Sequence, residues 1–106
     1  MLEAIMEITF FEKKNELYKD WSGYDATRIL RPAFNLGAGL FSGTITSDET
    51  MYYWNTGYLV LVQFFTIDTI EVYREVETHL VVGKVYDIQM ASRKIGKAVM
   101  VEFDYS

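Results

Sequence analysis

The sequence predicts an all-β protein, a small antiparallel β-barrel of about six strands. Three observations point there. Short segments alternate apolar and polar residues with a period of two, most cleanly over Leu2–Phe11 and Tyr86–Met90. Turn-forming clusters separate them: Ser22-Gly23-Tyr24-Asp25, Gly37-Ala38-Gly39, Ser47-Asp48-Glu49-Thr50 and Asn55-Thr56-Gly57. No stretch sustains a long helical period, so strands must bury one another to make the core.

Taken in order, Leu2 to Phe11 is the first strand. Leu2, Ala4, Met6, Ile8 and Phe10 form its core stripe, and Glu3, Ile5, Glu7 and Thr9 the opposite one. Glu12–Glu16 is a charged turn, and Leu17–Trp21 returns with Tyr18 and Trp21 as anchors. Arg31–Leu36 is a strand entered through Pro32, where no ladder donor is required. Leu40–Thr46 is another, with a bulge expected at Gly43, and Met51–Trp54 is short and aromatic. Tyr58–Thr66 is the most apolar segment and is expected at the centre of the sheet. Ile67–Glu77 mixes helical spacing with strand-favouring residues, and is expected to be a loop with one helical turn. The chain closes with a hairpin, Lys84–Met90 and Ile95–Phe103 around the turn Ala91-Ser92-Arg93-Lys94. Gly96 marks a bulge or a close backbone approach.

A chain of 106 residues that is 50% hydrophobic supports one domain with its own core, residues 1–106. With no cysteine there is no disulfide, thiolate zinc site or cysteine nucleophile, and the simple expectation is a reducing, cytoplasmic setting. The N-terminal segment carries acids where a signal peptide carries bases. The chain's longest apolar run, Tyr58–Val62, is far short of the ~20 residues a spanning helix needs, so no membrane contact is expected. Net charge is -5 and the isoelectric point about 4.8. Nucleic-acid affinity rests on lysine and arginine, so this balance disfavours phosphate backbones and steers the protein toward a basic partner.

Chemistry has little to work with. His79 is the only histidine, there is no G-x-S-x-G elbow, and Gly37-Ala38-Gly39 lacks the strand–GxGxxG–helix context of a dinucleotide site. Glu75 and Glu77 merely share a face or a loop. No catalytic residue, metal or cofactor is therefore expected, and recognition by surface remains. Tyr52, Tyr53 and Trp54 are consecutive, so in a strand at least one faces outward; Asp48 and Glu49 precede them and Tyr58 follows. Tyrosine and tryptophan dominate binding hot spots, and acids at a rim speed encounter with a basic partner. These six residues are the expected partner-binding segment. Tyr18, Trp21 and Tyr24 form a second aromatic group, and an exposed edge strand would allow a dimer instead of a monomer.

Two motifs carry a resemblance. Tyr86-Asp87-Ile88-Gln89-Met90 followed by Ala91-Ser92-Arg93-Lys94-Ile95-Gly96-Lys97-Ala98, then Val99–Phe103, is similar to the closing hairpin of the C-terminal β-barrel of elongation factor Tu and related translation GTPases. Ser22-Gly23-Tyr24 and Arg31-Pro32-Ala33-Phe34 resemble that family's G-Y-R-P-x-F stretch, here split by Asp25–Leu30. The resemblance implies a barrel, and an RNA-contacting turn made by Arg93, Lys94 and Lys97. The turn has lost the family's double glycine, and no GxxxxGK[ST] loop is present. In size, acidity and aromatic content the chain also resembles bacterial immunity proteins and antitoxins, which mask basic nuclease toxins. The functional expectation is therefore a non-enzymatic, immunity-type inhibitor of a basic protein, with a stand-alone RNA-binding, translation-factor-like domain as the alternative.

Overall fold

A computed structural model describes all 106 residues, Met1–Ser106. Nine strands and one α-helix follow in order, with short 3-10 turns at Glu16–Tyr18 and Ala26–Arg28: β1 (Leu2–Phe10), β2 (Gly23–Asp25), β3 (Ala33–Asn35), β4 (Leu40–Ser42), β5 (Thr44–Thr46), β6 (Met51–Tyr53), β7 (Gly57–Phe64), α1 (Ile70–Glu77), β8 (Val85–Met90) and β9 (Arg93–Tyr105). Seven form one antiparallel sheet in the order β4-β3-β8-β9-β1-β7-β5, and β2 pairs with β6 alone.

The sheet curls until its ends nearly meet. β4 and β5 are successive halves of one extended segment, the former paired with β3 and the latter with β7. Across that seam Gly43 donates its N–H to the carbonyl of Pro32 at 3.0 Å, and Ile45 to that of Leu30 at 2.9 Å. Counting β4–β5 as one, six strands circle a single core, a small all-β barrel. Gly43 makes the seam possible. A Cβ there would come within 2.7 Å of the Phe34 ring and 2.5 Å of a Val62 methyl.

β1 alternates without a break, its five even-numbered residues all buried. They meet Phe34, Val60, Val62, Phe64, Tyr86 and Ile88 in one apolar cluster of 22 buried residues. A polar residue on the inner stripe would be buried without a partner, so register is strongly specified. β9 wraps this core over 13 residues by bulging twice, at Ile95 and at Val101, where two residues face one on the neighbouring strand. At Gly96 both sequence expectations meet, since the bulge lies beside it and a Cβ would strike the carbonyl oxygen of Thr9.

Three expectations need correction. Ile70–Glu77 is a two-turn helix, not a loop: the Thr69 hydroxyl accepts the N–H of Val72 at 3.3 Å, and Val76 is buried. Burial of Val76 beside the core outweighs the modest strand preference of its β-branched residues. β7 is not the centre of the sheet; β9 holds that place, and β7 lies between β1 and β5. Its run is apolar on both faces although only the inner face is covered, because Leu59 is 66% exposed. The closing turn is two residues, Ala91 and Ser92, with Arg93 and Lys94 already paired in β9. No helix is long and apolar enough to cross a membrane.

Candidate protein-docking surface

The aromatic segment after Asp48 is mostly packing. β6 pairs with β2, and this ribbon lies over the Phe10 end of β1. Tyr52 is only 2% exposed: its ring meets Phe10 at 5.5 Å and Tyr58 at 5.1 Å, and its hydroxyl shares a hydrogen bond with Ser47 at 2.5 Å. Trp54 is half-buried edge-to-face on Tyr24, and its indole N–H donates to the carbonyl of Trp21 at 2.9 Å. The Tyr58 hydroxyl accepts the backbone N–H of Tyr53 at 3.0 Å. Of the six expected contact residues, Asp48, Glu49 and Tyr53 are exposed; Tyr52 belongs to the core, and Trp54 and Tyr58 serve the ribbon. The second aromatic group also splits. Tyr18 and Trp21 stack edge-to-face near the surface, whereas Tyr24 is buried.

The hairpin turn places its three cations unequally. Lys94 makes an ion pair with Asp87 at 3.0 Å, Lys97 stands opposite the same Asp87 in the β8–β9 ladder, and Arg93 is exposed. Arg28 and Arg31 join this end, lining a hollow of about 190 Å³ with Met90 and Ala91. Neither arginine was a sequence candidate, although Arg31 stood in the motif before Pro32. Asp25 caps the short turn before Arg28, accepting from the N–H of Thr27 at 2.9 Å and its hydroxyl at 2.6 Å. Those hydrogen bonds hold its carboxyl below the usual carboxylate value.

His79 takes part in local packing. Its carbonyl accepts the Tyr86 hydroxyl, and its imidazole lies against Gly37, where a Cβ would come within 2.7 Å of Nδ1. Gly37 has φ +91, so glycine suits it twice over.

The surface that sequence reasoning passed over is the outside of β7, β1 and β9. The registers set three rows across it: Gln63–Glu3–Asp104, Leu61–Ile5–Glu102 and Leu59–Glu7–Val99. Leu59 and Val101 are exposed, while Ile5, Leu61 and Val99 are half-buried. Beside the Val101 bulge the sheet has a depression of about 150 Å³ lined by Glu3, Ala4, Ile5, Leu61, Glu102, Phe103 and Asp104; Ile5 and Leu61 present their apolar side chains to it, whereas Ala4 and Phe103 face the core. Glu3 accepts the Gln63 amide at 3.0 Å, but no cation pairs with Glu3, Glu7, Glu102 or Asp104. The signal was in the sequence: Ile5 on a stripe of acids, and Leu59 and Leu61 opposite the core stripe of β7.

Comparison with protein-family models, curated proteins and solved structures finds no match for this chain.

Proposed function

We propose that this protein is a non-catalytic binding module that docks onto a basic protein, most specifically an immunity-type inhibitor that masks a basic toxin. The carrying observation is electrostatic. Of fifteen carboxylate side chains, only Glu16, Asp68 and Asp87 take part in an ion pair, which leaves twelve without a cation. Unpaired surface carboxylates raise the association rate with a cationic partner and supply complementarity once it is bound. Basic reading frames adjacent to the gene supply the test. Co-expression should give a complex that forms at low salt and weakens steeply as salt rises. Failure of all such products to bind at low salt would overturn the reading.

The Arg28–Arg31 hollow beside the hairpin turn favours a second reading, an RNA-binding domain of the translation-factor type. Its support is the gathering of Arg28 and Arg31 near Arg93 at one end of an otherwise acidic molecule. A gel shift with tRNA at rising salt tests it. No shift at low salt, or binding that survives Arg28→Ala and Arg31→Ala combined with Arg93→Ala unchanged, would end it.

A further inference from the structure

We propose that the outer face of β7, β1 and β9 is the docking site, and that its occupant is a protein segment in which arginine or lysine alternates with apolar side chains. This deepens the binding-module reading and rests on it.

The face combines two features that a purely solvated barrel wall has no need of. Leu61 and Ile5 stand side by side, and in the next row Leu59 and Val99 flank Glu7, with the bulged Val101 beside them on β9, so apolar and acidic side chains interleave across three adjacent strands. Exposed Leu59 and Val101 beside half-buried Ile5, Leu61 and Val99, set among charges, mark an interaction surface. Glu7 stands among these residues and Glu3, Glu102 and Asp104 at their rim, all lacking a cationic partner.

Charge selects the occupant. A second copy related by a twofold axis would set this rim against itself, carboxylate facing carboxylate. An anionic lipid surface or a nucleic acid would meet the same repulsion. The depression at the Val101 bulge is about 150 Å³, below the roughly 300 Å³ at which small-molecule pockets begin. It suits a single long cationic side chain instead. The aliphatic stem would lie over Ile5 and Leu61, and the charged head would reach Glu3, Glu102 and Asp104. Apolar residues between the cations would cover Leu59 and Val99.

The test is an amide NMR titration of the whole protein with a short capped peptide alternating arginine and leucine, alongside a peptide alternating arginine and serine. The expected result is saturable shifts centred on Ile5, Leu61 and Glu102, with the arginine–serine peptide at least about tenfold weaker. Leu59→Ser with Val101→Ser removes apolar surface without adding charge, and is expected to weaken the arginine–leucine peptide about tenfold. Glu102→Gln with Asp104→Asn should flatten its salt dependence. Both pairs are exposed, and circular dichroism checks that the barrel is intact. Shifts centred on Asp48–Tyr53 would overturn the face while leaving the basic-partner reading standing. No binding of either peptide at low salt would overturn both. A self-associating protein whose dimer is broken by the Leu59→Ser, Val101→Ser pair would assign the face to a second copy and overturn the proposed occupant.

Discussion

Trp54 donates its indole N–H to the backbone carbonyl of Trp21 at 2.9 Å, a contact spanning 33 residues that ties the end of β6 to the segment leading into β2. With the bond from the Trp54 backbone N–H to the carbonyl of Ser22, it extends the ribbon beyond its three paired residues. A tryptophan held this way is a structural clamp.

Trp54→Phe keeps an aromatic ring but loses the indole N–H and the packing of the second ring. It should cost at least about 1 kcal/mol in urea denaturation, the usual net worth of one such bond. Tyr53→Ser, at a half-exposed site, should stay within about 0.5 kcal/mol. A larger loss at Tyr53 than at Trp54 would contradict the assignment.

Gly43→Ala tests the seam. Its Cβ would drive into Phe34 and Val62, so destabilisation of about 1–3 kcal/mol is expected, with higher near-seam amide exchange at Ile45. Gly83→Ala is the control, because the space there is open and only its φ of +87 opposes a side chain. Its cost should be about 1 kcal/mol, with no change in exchange at Ile45.

The cap at Asp25 has a predictable pH dependence. Hydrogen bonds from Thr27 favour its charged form, so its folded pKa lies below its unfolded one. The sign follows. The stabilisation is present above the ordinary carboxylate value and is lost as pH falls through the lowered one. Asp25→Ala should lower the urea midpoint at neutral pH, and the gap to the parent should close on acidification. A gap independent of pH would show that the ionised carboxylate is not the stabilising species.

Ala91 occupies φ +55 in the two-residue β8–β9 turn, where a Cβ is disfavoured. Ala91→Gly should raise stability by a few tenths of a kcal/mol, relief of the strained φ exceeding the added chain entropy. Thermal melts of the two proteins decide it; a lower midpoint for the glycine form would mean the turn carries no strain.

Much of the barrel was legible from local pattern. In β1 the even-numbered residues are buried, and Gly96 lies at both a bulge and a close approach. These follow from the strand period and from a missing Cβ, which neighbours in sequence reveal. The helix at Ile70–Glu77 was harder to read, because Val72 and Val76 favour strands and only the burial of Val76 among distant residues decides the matter. The candidate site was less legible still. Tyr52, Tyr53 and Trp54 are three consecutive aromatics, yet one is core, one exposed and one clamped, according to what Phe10 and Trp21 offer each.

The sequence alone thus determined the fold class, the inner stripe and the acidic character, because each depends on residue type and a period of two. The tertiary structure decided where acidity and exposed apolar surface coincide. Ile5, Leu61 and Glu102 lie far apart in the chain and become neighbours only through the β1–β7 and β1–β9 registers. The depression beside them lies next to the bulge at Val101, where one register steps by a residue. Registers and bulges are settled by how the whole core packs, and no local stretch of sequence contains that information.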